Sequence, residues 1–407
     1  MSHSVIKISK NINSLLSSGI KKTGFLFGAG ASMCLGEELE EFNIPGVERL
    51  TKQIIDSLSG KYSVTIDAIK REKQTDFNVE TLLTNINMRI EVIGSATIDG
   101  LDKTGLLELK QEIINEMKII LKKHLSIYSL EKEELLPHIK LAEWVKNTKK
   151  EKAIEIFTTN YDMLLEMALE HKKVRFLDGF YGSLHPFFDS SSINLSSSDI
   201  NLKLWKIHGS LGWEESHNGI VKSNDGDTLL ILPSILKYRE SRKEPYIYFL
   251  DRLSSFIKSD DCVLITSGYS FNDQHINEII TDALKSCNNS LVVGLLYDKV
   301  WDEESKTYKF SLEEDEKLKR FAKDNSRLWI LGESSAVIDG TYGKYEYNNI
   351  SKDNLDITSN IFESDYNEEI NQDKDKNYIS ASLKIVNTSK LFEYLVSMRL
   401  EHDKHEQ

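Results

Sequence analysis

Cysteine and proline are scarce in this chain of 407 residues, which holds three cysteines and five prolines. The cysteines are odd in number and widely spaced, so neither a disulfide framework nor a four-thiolate zinc site is expected. No run of about 18 uncharged apolar residues occurs, so we expect no membrane-spanning helix and no membrane partner. The first residues also lack the continuous apolar stretch of a secretory signal, and we therefore expect a cytoplasmic protein.

Positive charge is also in deficit, with 64 acidic against 51 basic residues and a formal net charge of −13. The field of the whole protein should repel polyanions, so direct nucleic-acid binding is not expected. The apolar share of 40% and the charged share of 28% are typical of a folded protein. A chain of this length predicts either one large domain with insertions or two domains.

Six short apolar runs, rich in β-branched or aromatic residues, are bounded by turn residues. They lie at 25–27, 153–157, 202–207, 262–266, 291–297 and 328–331. Such runs are typical of a parallel sheet covered on both faces. After the fourth run, apolar residues from Ile276 to Leu284 follow helical spacing, with Asn272 or Asp273 as the expected N-cap. The repeated order of strand, loop and helix predicts a Rossmann-like, doubly wound α/β fold.

The pattern changes between about residues 47 and 150, where leucine and isoleucine recur at helical spacing, most clearly at 106–125. We interpret this region as a large helical insertion into the α/β core. Its apolar stripe is expected to pack on the core or within the insertion, with a subunit contact as the alternative. The predicted organisation is one α/β domain at 1–333, which contains this insertion, followed by a short C-terminal extension at 334–407.

The segment FLFGAGAS at 25–32 ends a predicted strand with two glycines and a serine. Gly28 and Gly30 would let the backbone approach a ligand closely, and free N–H groups of a following helix would face an anion such as a pyrophosphate. Position 33 is methionine instead of the third glycine of the dinucleotide motif, so a turn without a ligand is an equally good interpretation. The P-loop pattern of Walker-type ATPases is absent.

Three further predicted strands end in small or polar residues, at 158–162 (TTNYD), 207–210 (IHGS) and 268–270 (GYS). His208 is the best candidate for a general base, because an imidazole can take up a proton near neutral pH. Asn160 or Asp162 could instead do no more than cap the helix that follows. Since the carboxyl ends of parallel strands share one edge of a sheet, the four strand ends together predict a single ligand site there.

In this order the segments GAGAS, TTNYD, IHGS and GYSFNDQHIN resemble the sirtuin-like family of NAD-consuming enzymes, over about residues 24–331. The resemblance implies that the domain at 1–333 is a Rossmann-like NAD-binding catalytic domain with an inserted lobe, and that NAD⁺ is its substrate. It assigns the catalytic roles to Asn160, His208 and Asp162. The residues that it implies for binding the dinucleotide are Gly28, Ala29, Gly30, Ser32, Thr159, Gly268, Tyr269 and Ser270.

Under this resemblance Asn160 orients a water or a ribose hydroxyl, His208 accepts its proton, and Asp162 supports them, so that nicotinamide and ADP-ribose are released without a metal. Two departures favour water over an acyl-lysine as the acceptor. No cysteine lies between His208 and Cys262, where protein-deacylating sirtuins bind zinc, and the family's GIPDFR is replaced by NIPGVERLT.

These departures make the chain more similar to the sirtuin-like effectors of bacterial anti-phage defence, which hydrolyse NAD⁺. The short C-terminal extension resembles the sirtuin-like partner of HerA-type translocases. We therefore expect a homo-oligomer that is activated by assembly or by a HerA-type ATPase. The alternatives are a non-catalytic module that senses NAD or ADP-ribose, a pyridine-nucleotide oxidoreductase, and a zinc-independent deacylase.

Overall fold

A ten-stranded sheet forms the centre of the computed structural model, which describes residues 2–58, 60–74, 77–195, 200–217, 219–223, 244–302, 306–346, 358–364 and 381–405. The strands of the chain are β1 (Ser2–Ser4), β2 (Lys22–Phe27), β3 (Ile154–Thr158), β4 (Phe176–Leu177), β5 (Phe180–Tyr181), β6 (Phe187–Phe188), β7 (Leu202–Lys206), β8 (Trp213–Ser216), β9 (Gly219–Lys222), β10 (Cys262–Ser267), β11 (Leu291–Leu295), β12 (Lys299–Asp302), β13 (Thr307–Phe310), β14 (Leu328–Leu331), β15 (Ser335–Ile338), β16 (Thr341–Glu346), β17 (Phe362–Ser364) and β18 (Ala381–Leu383). The order in the central sheet is β1-β16-β15-β14-β11-β10-β2-β3-β7-β4.

All six predicted strands lie in this sheet as β2, β3, β7, β10, β11 and β14, and each is parallel to its neighbours among the six. In register, Phe25 pairs with Ile156, which pairs with Leu204. Among the described residues, the antiparallel pairs of this sheet are β14–β15 and β15–β16. The Rossmann-like, doubly wound α/β prediction is confirmed.

Helices cover both faces of the sheet. They are α1 (Val5–Ser17), α2 (Val47–Ser57), α3 (Ser63–Lys73), α4 (Val79–Val92), α5 (Lys103–Lys122), α6 (Ser126–Ser129), α7 (His138–Asn147), α8 (Leu164–His171), α9 (Tyr246–Lys258), α10 (Gln274–Ser286), α11 (Ser311–Glu314), α12 (Glu316–Lys323) and α13 (Thr388–His405). Phe25 and Phe27 face a core shared with α1, α7, α8 and α13, whereas Leu26 faces a second core shared with α9, α10 and α12. This alternation along β2 follows from the two-residue period of a strand.

The region from 47 to 125 is helical and has its own core, built mainly from α2, α3, α4 and α5. Tyr62, Leu82 and Leu109 are fully buried within this core. The helix predicted at 106–125 begins at Lys103 and continues as a 3₁₀ turn, Lys123–Leu125. Helix α7, which lies near the end of the predicted insertion at about 47–150, packs on the sheet in the core that it shares with α1, α8 and α13.

Residues after 333 continue the central sheet, because β15 and β16 extend it beyond β14. Helix α13 packs on α7 and under the turn that follows β2, where the rings of Phe392 and Phe27 lie 5.6 Å apart. Ser267 and Thr388 share a buried hydrogen bond of 2.8 Å at the same place. The last helix therefore supports the strand ends that carry the candidate site. Across the described ranges, the helices are too short or too polar to cross a membrane.

Candidate functional site

A cleft of about 830 Å³ opens at the carboxyl edge of the sheet, between the ends of β10, β2, β3 and β7 and the helical lobe. The chain leaves β2 toward β3 and β7 on one side, whereas β10, β11 and β14 lie on the other, so β2 marks a topological switch point. Open α/β sheets bind their ligands at such a point. All the site residues predicted from the sequence line this one cleft: Gly28, Ala29, Gly30, Ser32, Thr159, Asn160, Asp162, His208, Gly268, Tyr269 and Ser270.

The glycines after β2 are explained by contact with the strand end of β10. A Cβ atom at Gly28 would lie 2.5 Å from the carbonyl oxygen of Gly268, and one at Gly30 would lie 2.7 Å from its Cα. Gly268 has φ +65° and would place a Cβ 2.3 Å from the nitrogen of Ala31. Only glycines let the two turns approach this closely.

The sequence predicted that a helix begins directly after β2 and that its N-terminus faces an anion. The first part of this prediction is wrong, because no α-helix follows β2 directly. A three-residue 3₁₀ turn, Ala29–Ala31, takes its place. The backbone N–H groups of Gly28, Gly30, Ala31 and Ser32 donate to the carbonyls of Ser267, Gly268, Gly28 and Ala29, respectively. Ala29, which is exposed, is the residue of this turn whose N–H group is left to meet a ligand.

The orientation of the Asn160 amide is fixed by its partners. Its Nδ2 donates to the carbonyl oxygen of Gly28 at 2.9 Å and to Oγ of Ser32 at 2.6 Å, and the first of these partners can only accept. The Ser32 hydroxyl in turn donates to Oδ2 of Asp162 at 2.5 Å. Both amide hydrogens of Asn160 are thereby used within the protein, and Oδ1 remains as an acceptor for a ligand in the cleft.

Asp162 is 7% exposed, and its carboxylate also accepts the N–H of Leu164 at 3.1 Å. Burial raises the pKa of this carboxyl, but the positive charge of Lys206 and the Ser32 hydroxyl favour the charged form and bring the pKa below its ordinary value. Lys206 is itself buried, contacts the backbone oxygen of Asp162 and pairs with Glu166 at 2.9 Å. Asp162 is therefore an ionised acceptor that holds Ser32 and, through it, Asn160.

His124 connects the helical lobe to this network. Its Nδ1 lies 2.6 Å from the carbonyl oxygen of Leu121, and its Nε2 accepts the N–H of Met163 at 3.0 Å. These partners require the hydrogen on Nδ1. Burial lowers the pKa of His124, which favours this neutral form.

His208 follows β7 and lies beside the start of α10. Its Nε2 is 3.3 Å from Oδ2 of Asp273, and the two side chains are 13% and 11% exposed. Asp273 is the N-cap of α10, as one of the two sequence alternatives proposed, and its Oδ1 accepts the N–H groups of His275 and Ile276. Gly209, with φ +94°, turns the chain away directly after the imidazole.

The three remaining predicted residues, Thr159, Tyr269 and Ser270, differ in their hydrogen-bond partners and in their burial. The backbone N–H of Thr159 donates to the carbonyl of Phe27 at 3.0 Å. The hydroxyl of Tyr269 is directed at α10, where its one hydrogen is shared between the backbone oxygen of Asp273 at 3.2 Å and Oδ1 of Asn277 at 2.9 Å. Burial raises the pKa of Tyr269 well above its ordinary value, so it stays neutral. Ser270 is exposed.

The opposite wall of the cleft comes from the helical lobe, and the sequence did not identify it. Its polar part is the first turn of α4, where Asn78 and Thr81 form a reciprocal capping box and Glu80 also lines the cleft. Tyr161 and Asn272 complete the polar lining. The pattern of Asn78 with Thr81 three residues later could have located the helix start, but not its position opposite His208.

The fold and the cleft define a Rossmann-type α/β protein with a ligand site at the carboxyl edge of its sheet. Residues 154–323 match the family model described as the SIR2-like domain, which supports a sirtuin-like family. One similar solved structure is titled "Structural Basis for the Mechanism and Regulation of Sir2 Enzymes", with 12% identity over 72% of this chain and 86% of that chain, at a TM-score of 0.26. No curated protein sequence matches the chain.

Proposed function

We propose that the chain is an NAD⁺ hydrolase that releases nicotinamide and ADP-ribose. The observation that carries this proposal is that Asn160 and His208 line one cleft with the glycine turn, and that each has a protein partner that orients it. The SIR2-like match supports an NAD-dependent enzyme in general. A cleft of about 830 Å³ also lies within the range of about 300–1,000 Å³ that small-molecule sites occupy.

The charges around the cleft suit a ligand with a cationic ring and a pyrophosphate. Among the described residues that line it are the carboxylates of Glu80, Asp162 and Asp273, with no lysine or arginine. The first turn of α4 and the N-cap residue of α10, Asp273, also line it, so that the positive ends of these helix dipoles, with the N–H of Ala29, would meet the pyrophosphate. The carboxylates favour the positive charge that develops on the sugar as the nicotinamide bond breaks.

In this mechanism, Oδ1 of Asn160 accepts a hydrogen bond from the attacking water and holds it on the sugar. His208 takes one proton as the water oxygen bonds to the anomeric carbon, and the electron pair of the broken bond leaves with neutral nicotinamide. Asp162 acts through Ser32 and keeps the Asn160 amide oriented. The proton on His208 then passes to solvent, and ADP-ribose is released.

Nicotinamide release by the purified protein tests the proposal, measured by chromatography with NAD⁺ alone and with a candidate activating protein. His208→Gln should lower turnover by about 10²- to 10⁴-fold, the usual contribution of a general base, while NAD⁺ binding measured by calorimetry is kept. His185→Gln changes an exposed histidine and is the control. NAD⁺ that binds but stays intact under every condition would favour the sensing module, and absorbance from a reduced nicotinamide would favour an oxidoreductase.

We further propose that this activity serves anti-phage defence in the cytoplasm, in a homo-oligomer with a HerA-type ATPase. The lack of cysteine between His208 and Cys262 and the replacement of GIPDFR by NIPGVERLT support this role. Infection of cells that express the chain should deplete NAD⁺, whereas cells that express His208→Gln should keep it. Solution mass, measured alone and after mixing with the ATPase, tests the assembly. Unchanged NAD⁺ during infection would contradict the defence role.

A further inference from the structure

Asp273 uses its two carboxylate oxygens for different partners. Oδ1 caps α10, accepting the N–H groups of His275 at 3.1 Å and Ile276 at 3.3 Å. Oδ2 lies 3.3 Å from Nε2 of His208, which comes from a different strand end. A helix cap needs only one oxygen, so the cap alone does not account for the second contact.

We propose that Asp273 is a positioning residue for His208, which holds the imidazole with its hydrogen on Nε2 and its lone pair on Nδ1. An ionised carboxylate can only accept hydrogen bonds, so the ring nitrogen that faces it carries the hydrogen. In a neutral imidazole, Nδ1 is then the basic nitrogen that takes the proton in the reaction. This inference rests on the proposed function, because it assigns the reacting atom of the proposed base.

The surroundings of Asp273 make it a firm support for the ring. The positive end of the α10 dipole favours its ionised form, and the helix cap fixes its rotation. Its backbone oxygen accepts the hydroxyl of Tyr269 at 3.2 Å, which holds the loop before the helix. A carboxylate fixed in this way needs little reorganisation when His208 becomes charged, which is the property that electrostatic preorganisation requires.

The variant Asp273→Asn separates the two uses of this side chain. Asparagine caps helices as well as aspartate does, through its one amide oxygen, so α10 should keep its cap and the urea midpoint should not change. The amide NH₂ would then face Nε2, which can accept only if the hydrogen moves to Nδ1. We expect kcat for nicotinamide release to fall by about 10²-fold or more, the lower limit of a general base's contribution, with little change in KM.

Asp102→Asn is the matched control, because Asp102 is exposed and caps α5. Its Oδ1 accepts the N–H of Gly105 at 2.8 Å. It makes the same chemical change at a helix N-terminus without contact to the imidazole. Its kcat and its urea midpoint should equal those of the wild type. An Asp273→Asn protein with a lowered midpoint and a proportional loss of folded enzyme would show that Asp273 is a cap only, which overturns the proposal.

The imidazole ¹⁵N shifts of His208, assigned by their loss in His208→Gln, report the tautomer without any need for activity. We expect the Nε2–H form in the wild type and the Nδ1–H form in Asp273→Asn. The same tautomer in both proteins would overturn the proposal. If the tautomer changes as expected but the wild type releases no nicotinamide, the proposed hydrolase function fails while the positioning by Asp273 holds.

Discussion

Replacing Ser32 by alanine removes the atom that links Asn160 to Asp162. Ser32 is 2% exposed, and its hydroxyl accepts from Asn160 Nδ2 at 2.6 Å and donates to Asp162 Oδ2 at 2.5 Å. Without it, a buried ionised carboxylate and an amide hydrogen each lose a partner. Alanine is smaller than serine, so the effect of the substitution comes from the loss of these two hydrogen bonds and not from a clash.

The expected loss of stability follows from the kinds of hydrogen bond. A hydrogen bond to a charged group contributes about 1.5–3 kcal/mol and a neutral one about 0.5–1.5 kcal/mol, so Ser32→Ala should lower the free energy of unfolding by about 2–4.5 kcal/mol. With an m value of roughly 3 kcal/mol/M, the urea midpoint would fall by about 1 M at constant m. The unfolding curve can be followed by tryptophan fluorescence. In addition, kcat should fall because the Asn160 amide can rotate.

Ser286→Ala is a suitable control, since the Ser286 hydroxyl donates to the backbone oxygen of Asp282 at 2.8 Å on an exposed helix surface. The free energy of unfolding of this variant should stay within about 0.5 kcal/mol of the wild-type value, as is usual for surface substitutions. A Ser32→Ala protein with the same midpoint and the same kcat as Ser286→Ala would refute the role of Ser32. It would mean that Asn160 is held by Gly28 alone.

Two other predictions concern the strand ends and the core beneath them. Gly268→Ala should lower the free energy of unfolding by about 1–2 kcal/mol for its positive φ and by a further 1–3 kcal/mol for the clash with Ala31. Gly100 has φ +87° and no atom within 4 Å of an added Cβ, so Gly100→Ala should show only the first of these losses. Equal urea midpoints for the two variants would contradict the close contact at Gly268. Burial lowers the pKa of His138 from its ordinary value of 6.5 to about 4. Between these pH values the unfolded chain binds a proton that the folded chain does not. The free energy of unfolding should therefore be highest above pH 6.5 and fall by about 3 kcal/mol as the pH drops to 4. His138→Leu should flatten this part of the stability curve, and an unchanged slope between pH 6.5 and 4 would show that another group causes it.

The sequence predicted the parts of this protein that depend on neighbours along the chain. Strand runs, the helix at α10 and its cap at Asn272 or Asp273 all follow from local periodicity and from residues a few positions apart. The meeting of four strand ends in one cleft was also predictable, because parallel strands bring their carboxyl ends to one edge. Residues such as Asn160 and His208 could therefore be selected before any distance was known.

The tertiary structure decided which atoms of those residues are available. The glycine pair after β2 looked like a phosphate turn, but its spacing is explained by contact with Gly268, which lies far along the chain. The Asn160 amide presents its oxygen because Gly28, Ser32 and Asp162 fix it, and no local pattern encodes that chain of hydrogen bonds. Asp273 reads as a helix cap in the sequence, and its contact with His208 exists only because β7 and α10 end at the same edge of the sheet. Local order is set by backbone geometry over a few residues, whereas the roles of these polar atoms are set by partners that only packing brings within hydrogen-bonding distance.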